Sequence, residues 1–212
     1  MKNESEHLET LSEIRSLMER SSRFISLNGL AGVFAGTFAL IGAYAAYKYL
    51  HLHLYQPNYY QYSYTSEGSR NISFHLFFLS DALLVLLASL TVATILAVRK
   101  ARKKGLKLWD NTGKRLLYNM LIPLVGGGTF CLILIYHGFI SLVAPATLLF
   151  YGLALINASK YTFDDVRYLG LIEVAIGLAA AIWMGYGLLF WAFGFGIMHI
   201  IYGIIMYYKY ER

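Results

Sequence analysis

The chain has 212 residues, 58% of them apolar and 14% charged, with a mean hydropathy of +0.52. These proportions exclude an ordinary soluble domain and make a lipid bilayer the expected solvent. The formal charge of +6 does not point to nucleic acid, because the Lys and Arg residues sit in short segments between apolar runs, not on a folded basic domain.

Residues 1–23 read as a cytoplasmic amphipathic helix, with Leu8, Leu11, Ile14 or Arg15, and Met18 at roughly helical spacing. Glu4, Glu6 and Glu9 crowd its beginning and Arg15, Arg20 and Arg23 its end, which complements the helix dipole. Such a segment either lies across the ends of the other helices or offers an apolar stripe for self-association or a cytoplasmic partner. The first 22 residues are polar and carry five Glu, and the apolar run after them is too long for a signal sequence, so no cleavable leader is expected.

The remainder reads as an all-α, polytopic bundle of six transmembrane helices at about 24–48, 74–98, 116–136, 139–156, 166–185 and 188–208, followed by a short tail at 209–212. In the first helix, Gly29, Gly32, Gly36, Ala39 and Ala43 share one face. Small residues let a second helix approach closely, which places this helix centrally. The loop from Leu50 to Asn71 holds His51, His53 and the tyrosines 55, 59, 60, 62 and 64 but almost no positive charge, an outer-face signature with an aromatic belt at its edges. The Asn71-Ile72-Ser73 sequon abuts the membrane and reads as a chance match.

After the second helix comes the basic run Arg99-Lys-Ala-Arg-Lys-Lys-Gly-Leu-Lys107, which fixes that loop inside. Of the 18 Lys and Arg residues, only Lys48 and Arg70 fall outside in this scheme, so both termini are expected in the cytoplasm. The stretch from Arg99 to Arg115 would then meet anionic lipid head groups. In the third helix, Pro123 followed by Gly126, Gly127 and Gly128 predicts a kink or break, since proline removes a backbone bond and glycine weakens a helix. Gly36-Thr-Phe-Ala-Leu-Ile41 echoes Gly128-Thr-Phe-Cys-Leu-Ile133, a weak sign of duplicated hairpins. Cys131 stands alone, so disulfides contribute nothing.

The candidate functional residues are those a bilayer makes costly. Asp81, Glu173 and His199 lie well inside the apolar spans, and a charge there costs roughly 2.5 to 3.5 kcal/mol unless paired or neutralised. Counted from the turn at Gly185-Tyr186-Gly187, Glu173 and His199 fall within roughly 3 Å of the same depth on antiparallel helices. Each emerges from a stripe of small residues: Gly170, Glu173, Gly177 and Ala180 on the fifth helix; Ala192, Gly196, His199 and Gly203 on the sixth. The expectation is a buried pair facing the bundle interior, either a packing device or a proton-exchanging site. Asn28, Asn119 and Asn157, in the inner halves of helices 1, 3 and 4, are candidates to line the same cavity.

A second, outer cluster comprises His51, His53, His75 and His137 with Asp81, residue types that suit zinc. Its spacing is poor, because His51 and His53 are two apart and His75 and Asp81 lie off a common helical face, with no HExxH motif. No cofactor is expected. Met184-Gly-Tyr-Gly187 and Phe193-Gly-Phe-Gly196 resemble potassium-filter tripeptides but lack the preceding threonines and a pore loop, so they read as a turn and as close packing.

The run Gly187-Leu-Leu-Phe-Trp-Ala-Phe-Gly-Phe-Gly-Ile-Met-His199, with the closing Tyr-Lys-Tyr-Glu, resembles uncharacterised bacterial multi-span membrane proteins. The resemblance implies a bacterial plasma-membrane setting and no particular activity. Three function classes follow from the residues. The first is a small proton-linked transporter using Glu173 and His199, with a cavity between helices 1, 3, 5 and 6. The second is a non-catalytic sensor or scaffold with a dry core that docks a cytoplasmic partner on residues 1–23. The third is an intramembrane metal-dependent hydrolase. A homo-oligomer fits the reading.

Overall fold

The computed structural model describes residues 28–50, 58–103, 105 and 110–212. The expectations for residues 1–23, and for His51 and His53, lie outside the described residues. The described chain is helical, and its β pairing is one isolated bridge, Tyr64 to Arg70. Six long helices succeed one another: α1 (Gly29–Tyr49), α2 (Ile72–Lys103), α3 (Asn111–Tyr136), α4 (Val143–Ser159), α5 (Asp165–Ile182) and α6 (residues 187–210). Five helical segments are long and apolar enough to cross a membrane. The exception is α5, 18 residues long and carrying Asp165, Arg167 and Glu173.

Local chemistry sets the helix starts. The Asn28 side chain accepts from Leu30 N, and the Asp110 side chain accepts from Gly113 N, each satisfying an orphan amide of the first turn. Asn71 does the same for Phe74 N while its amide donates to Tyr62 O at 3.0 Å, tying α2 to the tyrosine-rich segment. There Tyr59–Ser63 forms a 3-10 turn over the helix ends, with Tyr59 buried against Leu50, Phe74 and Ile140. Burial, with a smaller push from Tyr60, raises the Tyr59 hydroxyl well above its ordinary value.

At the opposite end, Glu211 accepts from Gly29 N at 2.6 Å and from Lys100 Nζ at 3.1 Å, so one carboxylate caps α1 and holds α2 and α6 to it. Lys209 pairs with Asp165 at 2.7 Å and joins α6 to α5.

Glycines decide which helices touch. A methyl group on Gly29 would stand 2.5 Å from Gly203 O, and one on Gly203 would stand 2.6 Å from Gly29 O, so α1 and α6 cross in backbone contact. Gly152 and Gly170 make the same reciprocal contact between α4 and α5, at 2.6 and 2.7 Å. Thus α1 lies between α2 and α6, α4 lies between α3 and α5, and the two groups meet where α6 runs beside α4 and α5. The small-residue stripes of α5 and α6 pack on different neighbours. Gly170 and Gly177 face α4, whereas Gly196 and Gly203 face α1.

Two expectations are corrected. Helix α3 continues through Pro123, Gly126, Gly127 and Gly128, so the chain is not broken there. Proline removes one amide, and in an apolar environment the neighbouring backbone groups gain nothing by leaving the helix. The helix also packs along α4 and the turn before it, away from α1 and α6, so a cavity between helices 1, 3, 5 and 6 is not formed. Gly126 and Gly128 face open space and Gly127 meets Phe150, whereas Gly36, the counterpart of Gly128 in the sequence echo, is buried against Gly196 O.

Candidate functional site

Glu173 sits halfway along α5 and is 0% exposed. Its carboxylate fills the space that Gly194 leaves by lacking a side chain: a methyl there would stand 2.5 Å from Glu173 Oε2 and 2.6 Å from Leu148 Cδ2. Oε1 lies 3.4 Å from His199 Nδ1. Neither carboxylate oxygen has a hydrogen-bond partner. A carboxylate left in this state is among the costliest groups a fold can hold.

His199 is engaged on both sides. Nδ1 lies 3.0 Å from the Gly194 carbonyl, and Nε2 lies 2.8 Å from the Tyr151 hydroxyl on α4. A carbonyl only accepts, so Nδ1 carries a hydrogen and donates to it. In the neutral ring Nε2 then accepts from the Tyr151 O–H, and in the charged ring both nitrogens donate and Tyr151 accepts. Phe195 stacks on the imidazole at 5.9 Å and meets Tyr151 at 5.0 Å and Trp191 at 5.2 Å in tilted contacts, giving the site an aromatic wall.

The backbone beneath the site is unusual. Residues Ala192–Met198 form a π segment between the α-helical segments Gly187–Trp191 and His199–Tyr210. A π segment shifts the bonding register from four residues to five and recurs where a helix must re-aim a side chain. Here it brings Gly194 O under the ring of His199, five residues on. Gly194 and Gly196 lie within it, and Gly196 packs against Leu40 of α1. The Phe-Gly-Phe-Gly motif is therefore a site of close packing and also the locus of the distortion.

The other sequence candidates do not join this site. Asn28 caps α1, Asn119 is half-buried and donates to Arg115 O at 2.8 Å, and Asn157 is half-buried on α4, so the three asparagines line no common cavity. Asp81 lies at the α1–α2 seam, where a methyl on Gly42 would stand 3.1 Å from its Oδ2. The outer metal cluster does not assemble among the described residues. His75 Nδ1 lies 2.8 Å from Asn71 O, His137 caps α3 and packs edge-on against Tyr136, and the described residues contain no group of three or more His, Cys, Asp or Glu able to hold a metal.

Sequence reasoning missed Tyr151 and the π segment. Tyr151 stands in an unbroken apolar run where tyrosine reads as packing, and no residue pattern encodes the register shift. No protein-family model, curated protein or solved structure matches the chain.

Proposed function

We propose that this is an integral membrane protein with six membrane-spanning helices and both termini in the cytoplasm, and that it couples proton exchange at Glu173 and His199 to the movement of a small solute or of protons themselves. The observation that carries this reading is the fully buried Glu173 carboxylate, without a hydrogen-bond partner and 3.4 Å from an imidazole already held by two other groups. A packing device would satisfy its carboxylate, and this one is left with a single exchangeable neighbour. Because Nδ1 already carries a hydrogen, the basic nitrogen of the neutral ring is Nε2: Tyr151 gives its hydroxyl hydrogen to Nε2 and takes up an incoming proton, and the Glu173 carboxylate, 3.4 Å from Nδ1, balances the imidazolium so formed. Complete burial makes the described arrangement the occluded one, so access requires α6 to move against α4 or α5.

The test is proton flux in liposomes under an imposed pH gradient, with a panel of solutes. The expectation is flux by the wild type, loss in Glu173→Gln and His199→Ala, and unchanged thermal unfolding of Glu173→Gln. Absence of flux under every gradient and solute overturns the transport reading.

A second reading, a non-catalytic sensor or scaffold, draws support from the backbone contacts at Gly152–Gly170 and Gly29–Gly203, which leave the core close-packed. It predicts no flux, and a cytoplasmic protein bound by residues 1–23. The metal-dependent hydrolase has no support among the described residues.

A further inference from the structure

We infer that the α1–α2 seam at Asp81 is covered by a second copy of this chain, with the two Asp81 carboxyl groups meeting at a twofold axis. Asp81 stands nine residues from the Ile72 end of α2 and twenty-two from the Lys103 end, about 13 and 33 Å at helical rise, too deep for so short a side chain to reach water. It is half-buried and has no hydrogen-bond partner among the described residues. The neighbouring hydroxyl of Ser80 is committed to its own helix, donating to Phe77 O. His75, six residues away, is engaged with Asn71 O.

Around this carboxyl, α2 contacts α1 and the Tyr59–Ser63 turn, and the 18-residue apolar core of the helix has no buried residue. Leu84, one turn on from Asp81, is 68% exposed. Leucine alone is at home in lipid, but a lone carboxyl is not, so the unpaired acid is what singles out this face.

A carboxyl group, unlike a lysine, both donates and accepts, so it can pair with a copy of itself. An isologous contact brings the same orphan group to the same place from both sides and satisfies both with one surface.

Crosslinking in membranes tests the inference. In a Cys131→Ser background, Leu84→Cys is expected to give a crosslinked dimer, while Ile122→Cys on the exposed face of α3 gives none. Adding Asp81→Asn, which keeps a donor and an acceptor, leaves the dimer in place. Adding Asp81→Leu, which suits lipid and leaves the fold intact, lowers the crosslinked fraction about fivefold, the size of one interhelical polar contact. Equal crosslinking at positions 84 and 122, no crosslink at 84, indifference to Asp81→Leu, or an adduct of another mass containing a different protein would each overturn it.

Discussion

The Tyr151 hydroxyl on α4 lies 2.8 Å from Nε2 of His199 on α6, so a residue 48 positions away satisfies the ring nitrogen that the Gly194 carbonyl does not. With Nδ1 donating to Gly194 O, Tyr151 completes the ring's partners and leaves the Glu173 carboxylate as the one polar group of the site still unmatched.

Tyr151→Phe removes the hydroxyl and little volume. The expected result is a loss of about 1 to 2 kcal/mol in thermal unfolding, because Nε2 is left buried without a partner. Nitrogen NMR on labelled histidine, with His199→Ala to assign the signal, should show the Nδ1–H tautomer in both proteins, with the Nε2 signal shifted in the variant by loss of its hydrogen bond. An unchanged spectrum would place Tyr151 outside the network.

Gly194→Ala introduces a methyl 2.5 Å from Glu173 Oε2 and 2.6 Å from Leu148 Cδ2. Overpacking of that kind costs about 1 to 3 kcal/mol, and here it also pushes the carboxylate away from His199. Gly126→Ala on α3 is the control: nothing lies within 4 Å, so the change should be neutral or stabilising by up to about 1 kcal/mol. Unfolding of both variants in the same detergent decides the comparison.

Gly152→Ala and Gly170→Ala each force α4 and α5 apart at one crossing. Their combined cost should be clearly less than additive, since the first methyl already opens the contact that the second would clash with. Gly152→Ala with Gly203→Ala touches two different crossings and should add within about 0.5 kcal/mol. A double-mutant cycle on unfolding free energies measures both.

Glu211 closes the bundle at the end where α1 begins, bonding Gly29 N and Lys100 Nζ with side chains only 11% and 10% exposed for Glu211 and Lys100. Glu211→Ala should cost about 1 to 3 kcal/mol by leaving the α1 amide unmatched, and Glu211→Gln less, because the amide oxygen still accepts. Equal losses in the two variants would show that charge, not the cap, matters.

By itself, the sequence determined that this chain is helical and suited to lipid, because long apolar runs with few charges leave the backbone no partners but its own. It also marked Glu173 and His199 as partners in depth, since rise per residue and chain reversal fix depth without knowledge of packing. Only the tertiary structure decided the neighbours. The small-residue stripes of α5 and α6 were legible, but glycine states that a backbone can come close without stating whose, so Gly170 meets α4 and Gly203 meets α1. Tyr151 enters the site through that same choice, and the π segment arises from a register shift of the backbone that no side-chain period records. Proline 123 shows the converse: a local signal for a break is overridden where an apolar surround leaves the backbone nothing better to bond.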